Sequence, residues 1–221
     1  MDLRAQSGLS LLETIGAVSI GAVLAAITVP HVYDLIADSK AESLVASTKV
    51  YQHAISRYYA DIGTVLPLDG LGIPRLEPAG NSANPKSLPA RLTLAASGPQ
   101  AGTVNLWSRF QGPYLEKFDT RYPPELGETM YMPTIRSLSL GVSVTGSNHA
   151  WDLKGDDGKN DIPTNATVVM LRVVGLTPEQ FLRVDKIIEP DIGATATERR
   201  LRGRAKYDST DMTLNLYLAH Q

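Results

Sequence analysis

SGLSLLETIGAVSIGAVLAAITVP, residues 7–30, is the stretch from which the architecture is read. After Gly8 comes an apolar run with a single charge, Glu13, and no other ionisable side chain lies between Leu9 and Pro30. At about 1.5 Å per residue, a helix over 9–30 measures about 33 Å, enough to cross a hydrocarbon core of about 30 Å. Gly16, Ala17, Gly21, Ala22, Ala25 and Ala26 are small and permit close helix–helix contact in lipid. A carboxylate in such a helix costs about 3 kcal/mol on insertion scales, so Glu13 needs a partner or a role.

The run resembles the N-terminus of type IV pilins and of the pseudopilins of type II secretion systems. The resemblance covers residues 1 to about 60 and rests on Gly8, Leu9, Glu13 and Pro30. It implies a leader over 1–8, cleaved between Gly8 and Leu9 by a prepilin peptidase, with N-methylation of Leu9. Glu13 would be the glutamate that supports subunit docking, and Pro30 the proline closing the hydrophobic segment. Leu9 stands where Phe is commoner, and Thr14 follows the glutamate. An ordinary signal peptide fits less well: residues 1–7 carry only Arg4 against Asp2, the glutamate interrupts the apolar run, and no A-x-A site follows. The resemblance further implies a single-pass inner-membrane precursor with a periplasmic head that later joins a filament. Its partners would be other pilin or pseudopilin subunits, an assembly platform protein and an ATPase.

Downstream, residues 31–62 contain neither proline nor glycine. Ala41, Leu44, Thr48, Tyr51, Ile55, Tyr58 and Ile62 alternate three and four apart, which predicts an amphipathic continuation of the helix to about Asp61, with Gly63 as its stop. A proline-rich segment with EPAGNSANP at 77–85 predicts irregular structure. Strands are expected at 91–95, 103–109, 137–144, 167–174 and 212–219. The clearest alternation is Leu138, Leu140, Val142, Val144, whereas 167–174 is a near-continuous apolar run suited to a central strand. Between the last two, Thr177, Pro178 and Gln180 form a capping signature for a helix with Phe181, Val184 and Ile188 on one face, ending at Glu189-Pro190. GPYLEK at 112–117 faintly resembles a motif of major pseudopilins. The fold class is therefore α+β: a leader (1–8), a transmembrane or filament-core helix (9–30), its amphipathic continuation (31–62), and a head (63–221) built on a mainly antiparallel sheet, pilin-like in plan.

The chain has 21 basic and 23 acidic side chains and no cysteine. Bulk charge points to no nucleic acid, and neither a disulfide nor a thiol nucleophile is available. Asp152, Asp156, Asp157 and Asp161 in WDLKGDDGKND are an oxygen-rich set that could hold Ca²⁺, although the spacing is not that of an EF-hand. A solvated acidic turn between strands is the simpler reading. The tract ERRLRGRAK, with Arg199, Arg200, Arg202, Arg204 and Lys206, reads as a charged loop or subunit-contact surface, since no aromatic interleaves for base stacking. His31, His53, His149 and His220 show no metal-ligand spacing, and no nucleophile motif or phosphate-binding loop is present, so an enzyme is not expected. The expected function is that of a structural filament subunit. The alternative is a tip-located binding module, an adhesin or DNA-uptake minor pilin.

Overall fold

The structure, a computed structural model, describes residues 10–76, 87–95, 105–121, 129–193 and 195–221. Its contacts divide the chain into two units, 1–39 and 40–221.

Helix α1, Leu11–Ile62, runs through both. It continues through Pro30, whose missing N–H leaves the Ala26 carbonyl without its usual donor. In the first unit the apolar side chains are exposed all round, from Leu11 and Leu12 through Val18, Leu24 and Ile27 to Ile36. Among the described residues this is the one helix long and apolar enough to cross a membrane, and none of its apolar window is buried.

In the second unit the same helix is one-sided. Each of the stripe residues Ala41, Leu44, Thr48, Tyr51, Ile55, Tyr58 and Ile62 is buried, joined by Val45 and Ala54. Burial of one such large apolar side chain contributes about 1.5–3 kcal/mol, so packing rather than propensity holds this half. The helix ends at Ile62. Gly63 follows with φ +82°, a left-handed conformation suited to glycine, and its N–H donates to the Tyr59 carbonyl at 2.7 Å.

The sheet is antiparallel. Strands β1 (Thr129–Tyr131) and β2 (Thr134–Arg136) both pair with β3 (Thr167–Val174). On its other side β3 pairs with β5 (Thr213–His220), which pairs with β4 (Ala205–Asp208). β3 reads as a near-continuous apolar run because both its faces are covered. Val169, Leu171 and Val173 join Leu214 and Leu216 in the main core with α1, while Val168 and Met170 join Trp151, Ile162, Ile135 and Tyr217 in a smaller cluster. Between β3 and β4 lies helix α3, Pro178–Ile188, with Thr177 and Gln180 forming the reciprocal capping box. Its Phe181 and Val184 are buried, and Phe181 stacks on Tyr207 at 5.0 Å.

Three expected strands are not found among the described residues. Residues 88–92 form a short helix, α2 (Leu88–Leu92), because Ser87 caps it and Pro89 suits its first turn. Leu106–Arg109 is a 3₁₀ turn capped by Asn105; residues 103–104, like 77–85, lie outside the described residues. Residues 137–144 make no strand. Their apolar alternation faces outward at Leu138, Leu140 and Val142, and the buried Asn160 holds the segment instead. The Asn160 amide nitrogen donates to the Ser137 hydroxyl at 3.1 Å and to the Leu138 carbonyl at 2.9 Å, while its oxygen accepts from Trp151 N–H at 3.0 Å.

Candidate functional site

Two places concentrate polar chemistry on apolar ground: the start of α1, and the face of the sheet away from α1.

At the first, Ser10 and Glu13 exchange bonds. Ser10 N–H donates to Glu13 Oε2 at 2.8 Å, and Glu13 N–H donates to Ser10 Oγ at 3.3 Å, the reciprocal pair of a capping box. The spacing S-x-x-E is a sequence signal for this role, and the resemblance alone did not suggest it. Thr14, Ser19 and Thr28 each turn their hydroxyl back onto the carbonyl four residues earlier, at 3.2, 2.8 and 2.8 Å. These hydroxyls are thereby satisfied within the helix itself. Gly8 and Leu9 lie outside the described residues. Pro30 lies inside the helix, exposed, like its neighbours His31 and Val29.

Asp152, Asp156 and Asp157 come together: one carboxylate oxygen from each lies within 4.8 Å of the others. Asp161 is not in that group. It accepts from the Lys154 backbone N–H and from its ammonium, both at 2.9 Å. Asp152 is fully buried, and both its oxygens are already used. Oδ1 accepts from Gly155 N–H (2.8 Å) and Asp156 N–H (3.2 Å), and Oδ2 accepts from Gly158 N–H (2.7 Å). Its chemistry is that of a loop organiser, with Arg202 3.9 Å away.

The basic tract is divided among several elements and turned onto the head. α4, Ala196–Arg199, carries Arg199, which pairs with Asp185 at 3.0 Å and donates to the carbonyls of Glu189 and Pro190. Arg200 lies over Tyr207, and Arg202 lies beside Glu198. Residues 205–208 are not loop but β4, and Lys206 within them is fully buried. This departure from the charged-loop reading has a clear cause. The ammonium donates to the carbonyls of Thr145 (3.1 Å), Asn148 (2.6 Å) and Ala150 (2.7 Å) and lies 4.8 Å from the Trp151 ring centre. Carbonyl oxygens and a π face replace its water.

Lys206 belongs to a cross-strand row. Tyr131 on β1 is opposite Arg172 on β3, Arg172 is opposite Asn215 on β5, and Asn215 is opposite Lys206 on β4. The apolar cluster of this face gives way here to a cleft of about 470 Å³, which Tyr131, Arg172 and Asn215 share with His149, Asp208 and Asp211. Asn215 is buried and accepts from Arg172 Nε at 2.7 Å, which fixes the guanidinium. Burial, with Arg172 and Lys206 nearby, pushes the His149 imidazole down, so it is neutral at pH 7.

Two buried groups set a pH profile. Burial pushes the Asp185 carboxyl up to about 6 from 3.8, with Arg199 opposing and Glu189 adding to the shift. Burial and Arg172 push Lys206 down to about 7 from 10.5, with Asp208 opposing. The folded head binds the Asp185 proton more tightly than the unfolded chain does, so stability rises as pH falls from about 6 towards 4, by up to about 3 kcal/mol. It holds the Lys206 proton less tightly, so stability also rises as pH climbs from about 7 towards 10. The expected result is a melting-temperature minimum between about pH 6 and 7, with Asp185→Asn flattening the acid limb; a maximum there contradicts both assignments.

Comparison with family models, with curated proteins and with solved structures gives no match.

Proposed function

We propose that the chain is a pilin-like subunit of a type IV pilus or a type II secretion pseudopilus. In this reading it is made as an inner-membrane precursor, cut between Gly8 and Leu9 and methylated on Leu9. One observation carries the reading. A single carboxylate, Glu13, sits in a helical segment that is otherwise apolar, uncovered on every side, and internally satisfied in its hydroxyls. Such a surface is unstable in water and needs lipid or neighbouring helices around it. In a filament, the α-amine of one subunit and the Glu13 carboxylate of the next neutralise each other where neither is hydrated. The head, gripped by residues 41–62 of the same helix, is then the part displayed outside. The work is mechanical rather than catalytic, and the partners are prepilin peptidase, a platform protein with its ATPase, and other subunits.

The test is the intact mass of the membrane-extracted protein with and without the cognate peptidase. Loss of residues 1–8 and gain of one methyl group, only with the peptidase present, is the expected result. An unshortened chain, or a cut beyond Ala26, overturns the proposal. A second reading, a binding subunit at the filament tip, is favoured by the charged cleft of the head. It predicts few copies per sheared filament and normal filaments after deletion.

A further inference from the structure

The cleft at the Tyr131–Arg172–Asn215–Lys206 row brings opposite charges into one lining without joining them in an ion pair among the described residues. Arg172, Asp208 and Asp211 all belong to its lining. None of the ion pairs among the described residues includes Arg172. Its one side-chain bond among them is through Nε to Asn215, which leaves the two terminal nitrogens for another acceptor. Asp208 accepts from Thr210 N–H at 2.9 Å through one oxygen, and Asp211 is exposed.

A guanidinium fixed through Nε presents a planar fork suited to a carboxylate. A simple anion would meet the two aspartates, and a simple cation would meet Arg172. A ligand carrying both charges matches both signs of the lining. Beside the fork, the Tyr131 ring lies 5.9 Å from the guanidinium carbon and supplies an apolar flank. The 145–150 loop, with its neutral His149, adds to the lining, and Lys206 fixes that loop by its three hydrogen bonds.

We propose that this cleft binds a small zwitterion of the amino-acid class, its carboxylate on Arg172 and its ammonium on Asp208 and Asp211. The inference concerns the head alone and stands whether or not the chain enters a filament.

Calorimetric titration of the full chain in non-ionic detergent tests it. The probes are L-alanine, 4-aminobutyrate and 6-aminohexanoate, with propionate and ethylammonium as the two half-ligands. Saturable binding of one zwitterion, at least about tenfold tighter than either half-ligand, is expected, and the best chain length separates α- from ω-amino acids. Asp211→Asn, at an exposed position where the fold is not at stake, is expected to weaken it at least about tenfold, as is Arg172→Lys. No saturation by any zwitterion up to about 50 mM, equal binding of a half-ligand, or an unchanged Asp211→Asn variant overturns the proposal.

Discussion

Lys206→Met is expected to lower the unfolding free energy of the head by about 3 kcal/mol. The side chain is about the right size for the site, so the loss is one of bonds and not of volume. Its ammonium serves three carbonyls, those of Thr145, Asn148 and Ala150, that no other donor on β4 reaches. Each orphaned buried carbonyl costs about 1–3 kcal/mol, offset in part because the loop is half-exposed and regains water, and in part because a buried charge is removed. Loosening of residues 145–150 should accompany the loss, read as faster amide exchange at Trp151 and Asn148. The measurement is the denaturant midpoint in detergent at pH 6, where the amine is charged. A midpoint equal to wild type would show that the cage contributes nothing and that water or the Trp151 face suffices.

In the filament proposed above, Glu13→Gln is expected to abolish assembly, reducing sheared-filament yield at least about tenfold, while leaving the proposed processing intact. The choice of glutamine follows from the Ser10–Glu13 pair. A capping box accepts either Glu or Gln at this position, so the start of the helix is preserved and only the charge is lost. Glu13→Ala removes cap and charge together, costing about 1 kcal/mol locally, and so cannot separate the two. If Glu13→Gln assembles as wild type and only Glu13→Ala fails, then Glu13 acts as a cap and its charge has no role in subunit docking.

Helices α1 and α3 and the central strands β3 and β5 were legible because each carries its own period or cap. The 41–62 stripe, the Thr177–Gln180 box and the Thr167–Val174 run are local patterns. The errors came where alternation lacks a pairing partner. Leu138, Leu140 and Val142 alternate like a strand, but their neighbours are held by Asn160, some twenty residues away, and the apolar side chains stay exposed. Residues 88–92 carried a readable helix start in Ser87 and Pro89, and the apolar run after them obscured it. The cleft was not legible. Arg172 stands out as the lone charge in TVVMLRVV, yet its row partners lie on three other strands, and the carbonyls that cage Lys206 come from 56 to 61 residues earlier. Nothing in AKYD distinguishes a caged lysine from a solvated one.

The ammonium cage also bears on the redox biology of the head. With no cysteine in the chain, the 145–150 loop is held by hydrogen bonds from the Lys206 ammonium and not by a disulfide. Closure therefore waits for no oxidant, isomerase or thiol partner. No disulfide contributes to holding the head together, whatever the redox poise around it.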